Sequence, residues 1–134
     1  MFFSQGIDIV ENKRIENLLI KYDEKFKKKI LSNDEILDIN SIKSYKKRIQ
    51  KISSRFAAKE ATSKALGTGL RFGLYFKDIE IFYSNIGVPS LLINEKCIKK
   101  ILPEHYRKVN FNLTISNEKN FTVALVTIIS RQSI

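Results

Sequence analysis

The sequence predicts an α+β domain, with helices in its first half and β-hairpins in its second. Three observations predict it. Apolar residues recur at spacings of three and four through much of residues 12–66, the period of an amphipathic helix. From residue 77 onward, alternating or β-branched runs are separated by turn formers. The chain has 134 residues, 43% hydrophobic and 28% charged, which makes one globular domain over residues 1–134. That length supports a core without disulfide or metal staples.

Residues 2–10 read as a strand, with Ile7 and Ile9 on one face and Gly6, Asp8 and Val10 on the other. The spacing of Ile15, Leu18 and Leu19 predicts a helix over 12–21. Residues 25–31 form a short basic helix carrying Phe26 and Ile30. Ser32 and Glu35 have the spacing of a capping box that opens another short helix. Residues 41–47 are ambiguous. A long helix covers 45–66 and is closed by Gly67. Residues 77–83 and 90–93 make a hairpin about a turn at 84–87. A short helix over 95–102 stops at Pro103. Strands over 110–116 and 121–129 flank the turn at 117–120.

Composition narrows the function. No apolar run approaches the roughly 18–20 residues of a membrane span. The first ten residues lack a basic leading segment and carry Asp8 within their apolar stretch, unlike a signal peptide. Cys97 is the sole cysteine, which excludes a disulfide framework and a CxxC site. The expectation is a cytoplasmic protein. Lys and Arg number 24 against 14 acids, a net charge of +10. That charge suits a nucleic acid, a phosphate-rich ligand, an acidic protein or a membrane surface. AT-rich coding also yields such a Lys-, Ile- and Asn-rich chain, its lysines merely solvating the surface.

Two carboxylates stand out. Asp8 interrupts a strand pattern in which Asp is disfavoured; it is an edge-strand residue, a helix cap or a ligand. Glu60 continues the apolar stripe of Ile49, Ile52 and Phe56. A carboxylate there must pair with Arg55, Lys64 or another base, or bind a metal. Carboxylates from separate elements, without a His/Cys cluster, suit a hard cation such as magnesium. Lys64 lies one turn beyond Glu60. Gly67-Thr68-Gly69 follows its helix and so is no Walker loop; it is a C-cap or a place of close ligand approach. His105, in a polar stretch after Pro103, reads as a surface residue.

In combination these segments are specific. Gly6 to Val10 reads GIDIV, Arg55 to Ala61 reads RFAAKEA, Ser63 to Gly69 reads SKALGTG, and Asp78-Ile-Glu80 and Leu113-Thr-Ile-Ser116 follow in order. The chain resembles the small bacterial 4′-phosphopantetheinyl transferases, the holo-acyl-carrier-protein synthases, over nearly its whole length. The resemblance implies a fold with a long central helix on a mainly antiparallel sheet, and a homotrimer with sites between subunits. It implies transfer of 4′-phosphopantetheine from coenzyme A to a serine of apo-acyl-carrier protein in fatty-acid biosynthesis. It further implies that Asp8 and Glu60 hold magnesium and that Lys64 lies near the transferred phosphate. Arg55, Gly67, Thr68 and Gly69 match positions around coenzyme A. Arg14, Lys25 and Lys29 match the surface that docks the acidic carrier protein. Many members carry a Ser-His or Thr-His pair whose histidine helps hold coenzyme A; here the pair is Ser116-Asn117. An amide donates a hydrogen bond but carries no charge.

The resemblance leaves the catalytic base open between Glu60 and a metal-bound water. It implies neither a nucleic-acid nor a membrane partner. Two other readings stand beside it: a basic nucleic-acid-binding module, and a carrier-protein-binding subunit without catalysis. The first lacks interleaved basic and aromatic residues or a motif, and leaves Glu60 unexplained. The intact Asp8, Glu60 and Lys64 argue against the second.

Overall fold

The N-terminal alternation forms strand β1 (Phe2–Glu11). Its chain enters helix α1 (Asn12–Tyr22) without a break. Helices α2 (Glu24–Ile30) and α3 (Asn33–Asn40) follow, and then the long helix α4 (Tyr45–Leu66). The second half contains a 3₁₀ turn at Phe76–Asp78, the hairpin β2 (Ile79–Tyr83) and β3 (Pro89–Ile93), and helix α5 (Glu95–Ile101). The strands β4 (Lys108–Asn117) and β5 (Phe121–Arg131) close the described chain. The computed structural model describes residues 2–70, 74–102 and 108–131. The sequence readings of Pro103 as a helix stop and His105 as a surface residue lie outside them.

The expected α+β architecture is present. β5 lies between β1 and β4 in an antiparallel three-stranded sheet, and β2 pairs with β3 in a separate hairpin. α4 packs across β1 and β5. Its start is capped by Ser44, which accepts from Lys47 N at 3.3 Å, so the ambiguous stretch resolves as a cap and a first turn. Its end is Gly67, at φ 82°. The predicted capping box at α3 is complete, with Ser32 and Glu35 bonded reciprocally. The first hairpin begins later than predicted. Asp78 Oδ2 accepts from Tyr75 N at 2.9 Å and holds residues 76–78 in a tight turn.

The core lies between the sheet and the helices. Val10, Ala124, Val126 and Ile128 face α4, and Ile15, Ile30 and Ile39 cover its other side. The helix is therefore buried on every side in its middle, where residues 52–59 are all enclosed. This explains its composition: small residues at Ala57, Ala58 and Ala61 let the sheet and helices approach together. The two faces of β1 have opposite fates. Gly6 and Val10 are buried, whereas Ile7 and Ile9 are 59% and 62% exposed.

Candidate functional site

β1 runs along α4 with its even-numbered residues toward the helix. Ser4 Oγ donates to Ala65 O at 2.6 Å. Two residues on, a Cβ placed on Gly6 would lie 2.0 Å from Ala61 O, so only glycine lets the backbones touch. Asp8 comes next. Its Oδ1 accepts from Lys64 Nζ at 3.0 Å, and the same ammonium donates to Ile7 O at 3.0 Å. The strand carboxylate is thus locked to the helix face that also carries Glu60.

Glu60 is half-buried. Burial and then the charge of Asp8 raise its carboxyl above the usual glutamate range, while Lys64 and Arg14 pull it back. The two carboxylates therefore repel across a shared surface that Lys64 only partly neutralises. Asp8 and Glu60 are the residues here able to hold a cation. They offer hard oxygen ligands and, among the described residues, no cluster of three or more His, Cys, Asp or Glu side chains forms a dedicated metal cage.

Arg14 and the glycine loop frame this surface. The Arg14 guanidinium stands 5.9 Å from the centre of the Phe56 ring, one turn before Glu60. Past Lys64 the chain curls under the helix end: Gly67 N donates to Lys64 O at 3.0 Å, and Gly69 N to Ser63 O at 3.2 Å. Gly67 and Gly69 have φ of 82° and 65°. A Cβ added at Gly67 would meet nothing within 4 Å, so its backbone faces open space.

The remaining candidates lie apart from this cluster. Arg55 is 1% exposed, its guanidinium bonded to Asp38 and 3.4 Å from Glu35 Oε2. It therefore does not pair with Glu60, one of the readings that the stripe allowed. Lys25 and Lys29 are exposed on α2. Ser116 and Asn117 end β4, the far edge of the sheet from β1, with Ser116 on the outer face and Asn117 toward α4. The Asn117 amide nitrogen donates to Ser54 Oγ and to Thr122 Oγ1, each at 2.9 Å. Both of its N–H groups thus pin the β4–β5 turn to the helix.

The sequence reading missed a buried ion network. Lys59, 0% exposed, donates to Ile30 O at 2.7 Å and to Glu35 Oε1 at 2.6 Å. Glu35 also accepts from Ser32 N at 2.9 Å and Ile81 N at 3.0 Å, joining α3, α4 and β2 at one carboxylate, with α2 held through Lys59. The available signal was Arg55 and Lys59, one turn apart among Phe and Ala residues: two cations in an otherwise apolar stretch need buried partners.

Comparison with known proteins extends this picture. The family model for the 4′-phosphopantetheinyl transferase superfamily matches residues 4–126. A holo-[acyl-carrier-protein] synthase from Pelagibacter ubique is 45% identical over 123 residues, covering 90% of this chain and 91% of that protein. The crystal structure of a holo-(acyl-carrier-protein) synthase from Bacillus anthracis, in complex with CoA (3′,5′-ADP), superposes with a TM-score of 0.77 at 34% identity, covering 93% of this chain and 94% of that one. A Helicobacter pylori synthase in complex with coenzyme A gives a TM-score of 0.79 at 29% identity, covering 93% and 99%.

Proposed function

The chain belongs to the 4′-phosphopantetheinyl transferase superfamily, and from that premise we propose how its residues serve the reaction. The protein is a holo-acyl-carrier-protein synthase: it moves the 4′-phosphopantetheine arm of coenzyme A onto a serine hydroxyl of apo-acyl-carrier protein and releases adenosine 3′,5′-bisphosphate. The observation that carries the mechanistic reading is the seam of β1 and α4, where Asp8, Glu60 and Lys64 meet.

Asp8 and Glu60 hold a magnesium ion. Their two like charges, shared over one surface, call for a divalent cation, and their oxygens suit a hard one. Magnesium, when bound, neutralises the pyrophosphate of coenzyme A and the charge that grows on its leaving group. Lys64 is about half exposed, and its flexible stem brings a second positive charge to the same phosphates. The Gly67-Thr68-Gly69 turn lets the ligand approach the backbone closely. Fixed charges on a rigid strand and helix place the electrostatic work where phosphoryl-type transfer needs it.

Arg14, Lys25 and Lys29 dock the acidic carrier protein. Arg14 lies beside the Glu60 surface, and Lys25 and Lys29 are exposed on α2, the helix that follows α1. Rim charges of this kind steer encounter more than they add affinity.

The chain works as a homotrimer. The sheet face turned away from α4 carries Phe3, Ile7 and Ile9 on β1 and Phe121 and Ile129 on β5, all exposed, with Val123 and Leu125 half-exposed between them. A contiguous apolar face on one chain suits burial against further copies of itself. Among the described residues no helix is long and apolar enough to cross a membrane. We place the reaction in the cytoplasm, with its two substrates, on the resemblance alone.

The test is direct. The protein is incubated with coenzyme A, magnesium and an apo-acyl-carrier protein, and the carrier is weighed by mass spectrometry. The expected result is a carrier heavier by one phosphopantetheine. An unmodified carrier after incubation with folded protein overturns the reading.

A further inference from the structure

A groove of about 470 Å³ opens in the helical layer, where α1, α2 and α3 meet α4. Its floor is aliphatic: Ile39, Ile49 and Ile52 are buried there, with Leu19 half-buried beside them. Ile20 and Tyr45 stand on the rim, 70% and 53% exposed. The volume falls in the range of small-molecule sites, roughly 300–1,000 Å³. Neither the Asp8, Glu60 and Lys64 cluster nor the β4–β5 turn lines it. The apolar outer face of the sheet lies on the other side of α4, so assembly through that face leaves the groove open.

The charged groups of the groove are unevenly matched. Arg48, half-buried, donates from Nη1 to Ile42 O at 3.2 Å and pairs with no carboxylate among the described residues. A guanidinium offers a fork of N–H donors, so most of this one is left for a ligand. Lys27 also lines the groove, its ammonium 3.4 Å from Glu24 Oε1. Asp23 is the one acid in the lining, so Arg48 and Lys27 leave a net positive charge above the aliphatic floor. Asp23 also holds the strained backbone, φ 46° and ψ −120°, that joins α1 to α2. Outliers of this kind cluster at ligand clamps, where the surrounding packing maintains them.

We infer that this groove is a binding site for an aliphatic monocarboxylate, with its chain on Leu19, Ile39, Ile49 and Ile52 and its carboxylate on Arg48. The charge matches a monoanion: two cations less one acid answer one carboxylate, whereas a phosphate dianion would face Asp23 with too little positive charge to balance both. The floor carries no ring on which an aromatic ligand would stack, and a flexible methylene chain follows its branched side chains. An apolar body on the floor and one polar head at a placed donor is the division that small-molecule sites show. The site stands apart from the transfer chemistry, and nothing in it rests on the transferase reading.

Calorimetry of the full-length protein with decanoate and decylammonium, both below their micelle concentrations, tests this. The two probes share one chain and carry opposite charges. Decanoate is expected to bind once per chain, and decylammonium roughly tenfold weaker or more. Arg48→Met keeps the apolar stem and should weaken decanoate about tenfold, the scale of one charge-assisted hydrogen bond, while Arg48→Lys retains most of the affinity. Ile20→Glu puts an acid at an exposed rim position, where the fold should keep, and weakens decanoate in the same way. The chain has no tryptophan, so Tyr45→Trp sets a lone fluorophore on the rim, and its emission should move to shorter wavelength as decanoate binds. No binding of decanoate, equal affinity for the two probes, an affinity unchanged in Arg48→Met or Ile20→Glu, or an unmoved Tyr45→Trp emission at saturation overturns the site.

Discussion

Gly6 of β1 and Ala61 of α4 meet backbone to backbone, so closely that a Cβ on Gly6 would stand 2.0 Å from Ala61 O and 2.6 Å from Ala65 N. That contact sets the height at which Asp8 meets Lys64 and Glu60. Gly6→Ala has no flexible side chain to displace and must push strand and helix apart. It should cost about 3 kcal/mol, at the upper end of overpacking effects. Transfer should fall more than the loss of folded protein explains, because the carboxylates no longer share one surface. Urea denaturation together with activity per folded molecule checks it; full activity in a stable Gly6→Ala protein would sink the proposed role of this contact.

Glu60→Gln should abolish transfer yet stabilise the metal-free protein at neutral pH. Unfolded, Glu60 releases its proton near pH 4.3, approximately the ordinary value; folded, burial and Asp8 hold the proton to higher pH. Between these points the native state binds more protons, so stability falls as pH rises through the window and stays lowered above it. The amide removes that cost. Thermal melts in EDTA should show the variant above wild type at pH 7 and level with it near pH 4, the gain kept modest by solvent screening at a half-exposed site. Equal melts at both pH values would contradict the electrostatic strain.

Replacing Glu35 with Ala strands the ammonium of Lys59 and the N–H groups of Ser32 and Ile81. Breaking a buried pair by removing one partner costs about 3–5 kcal/mol. Glu35→Gln keeps an acceptor and should cost less. The comparison is read from urea midpoints. A Glu35→Ala midpoint within experimental error of wild type would show that the network adds nothing to stability.

Asp23 joins α1 to α2 at φ 46° and ψ −120°, a conformation that side-chain-bearing residues rarely adopt. Glycine relieves it. Asp23→Gly should raise stability by about 1 kcal/mol, visible as a higher melting temperature, whereas Asp23→Val should lower it.

The outer face of the sheet predicts its own disruption. Ile7→Lys combined with Ile9→Lys places charges on exposed positions of the single chain, so the fold should survive by circular dichroism. Light scattering should report trimers for wild type and monomers for the variant, with transfer lost at the same time. A monomeric, fully active wild type would end the trimer reading.

Local patterns were legible in the sequence because they arise from short-range physics. The stripe of Ile49, Ile52 and Phe56, the Ser32–Glu35 box and the Gly67 stop each depend on residues a turn apart, and each formed as read. The order of GIDIV, RFAAKEA and SKALGTG carried the family for the same reason: it is written along the chain. Which side of β1 would be covered was not written there. Ile7 and Ile9 are the more apolar face, yet α4 needs the close approach that only Gly6 permits, and the isoleucines were left outside.

Partner choice among charged side chains was likewise decided in three dimensions. Sequence placed Arg55, Lys59 and Lys64 at helical intervals and offered Glu60 to any base nearby. Packing α4 between the sheet and α3 sent Arg55 to Asp38 and Lys59 to Glu35, and left Lys64 for Asp8. Asn117 differs in the same way, bound to Ser54 and Thr122 from segments 63 and 5 residues away. By itself the sequence determined the elements, their periodic faces and the carboxylates that needed an explanation. Only the tertiary structure decided which charges meet, because a buried charge takes the partner that packing brings within reach and desolvation makes any unpaired alternative too costly.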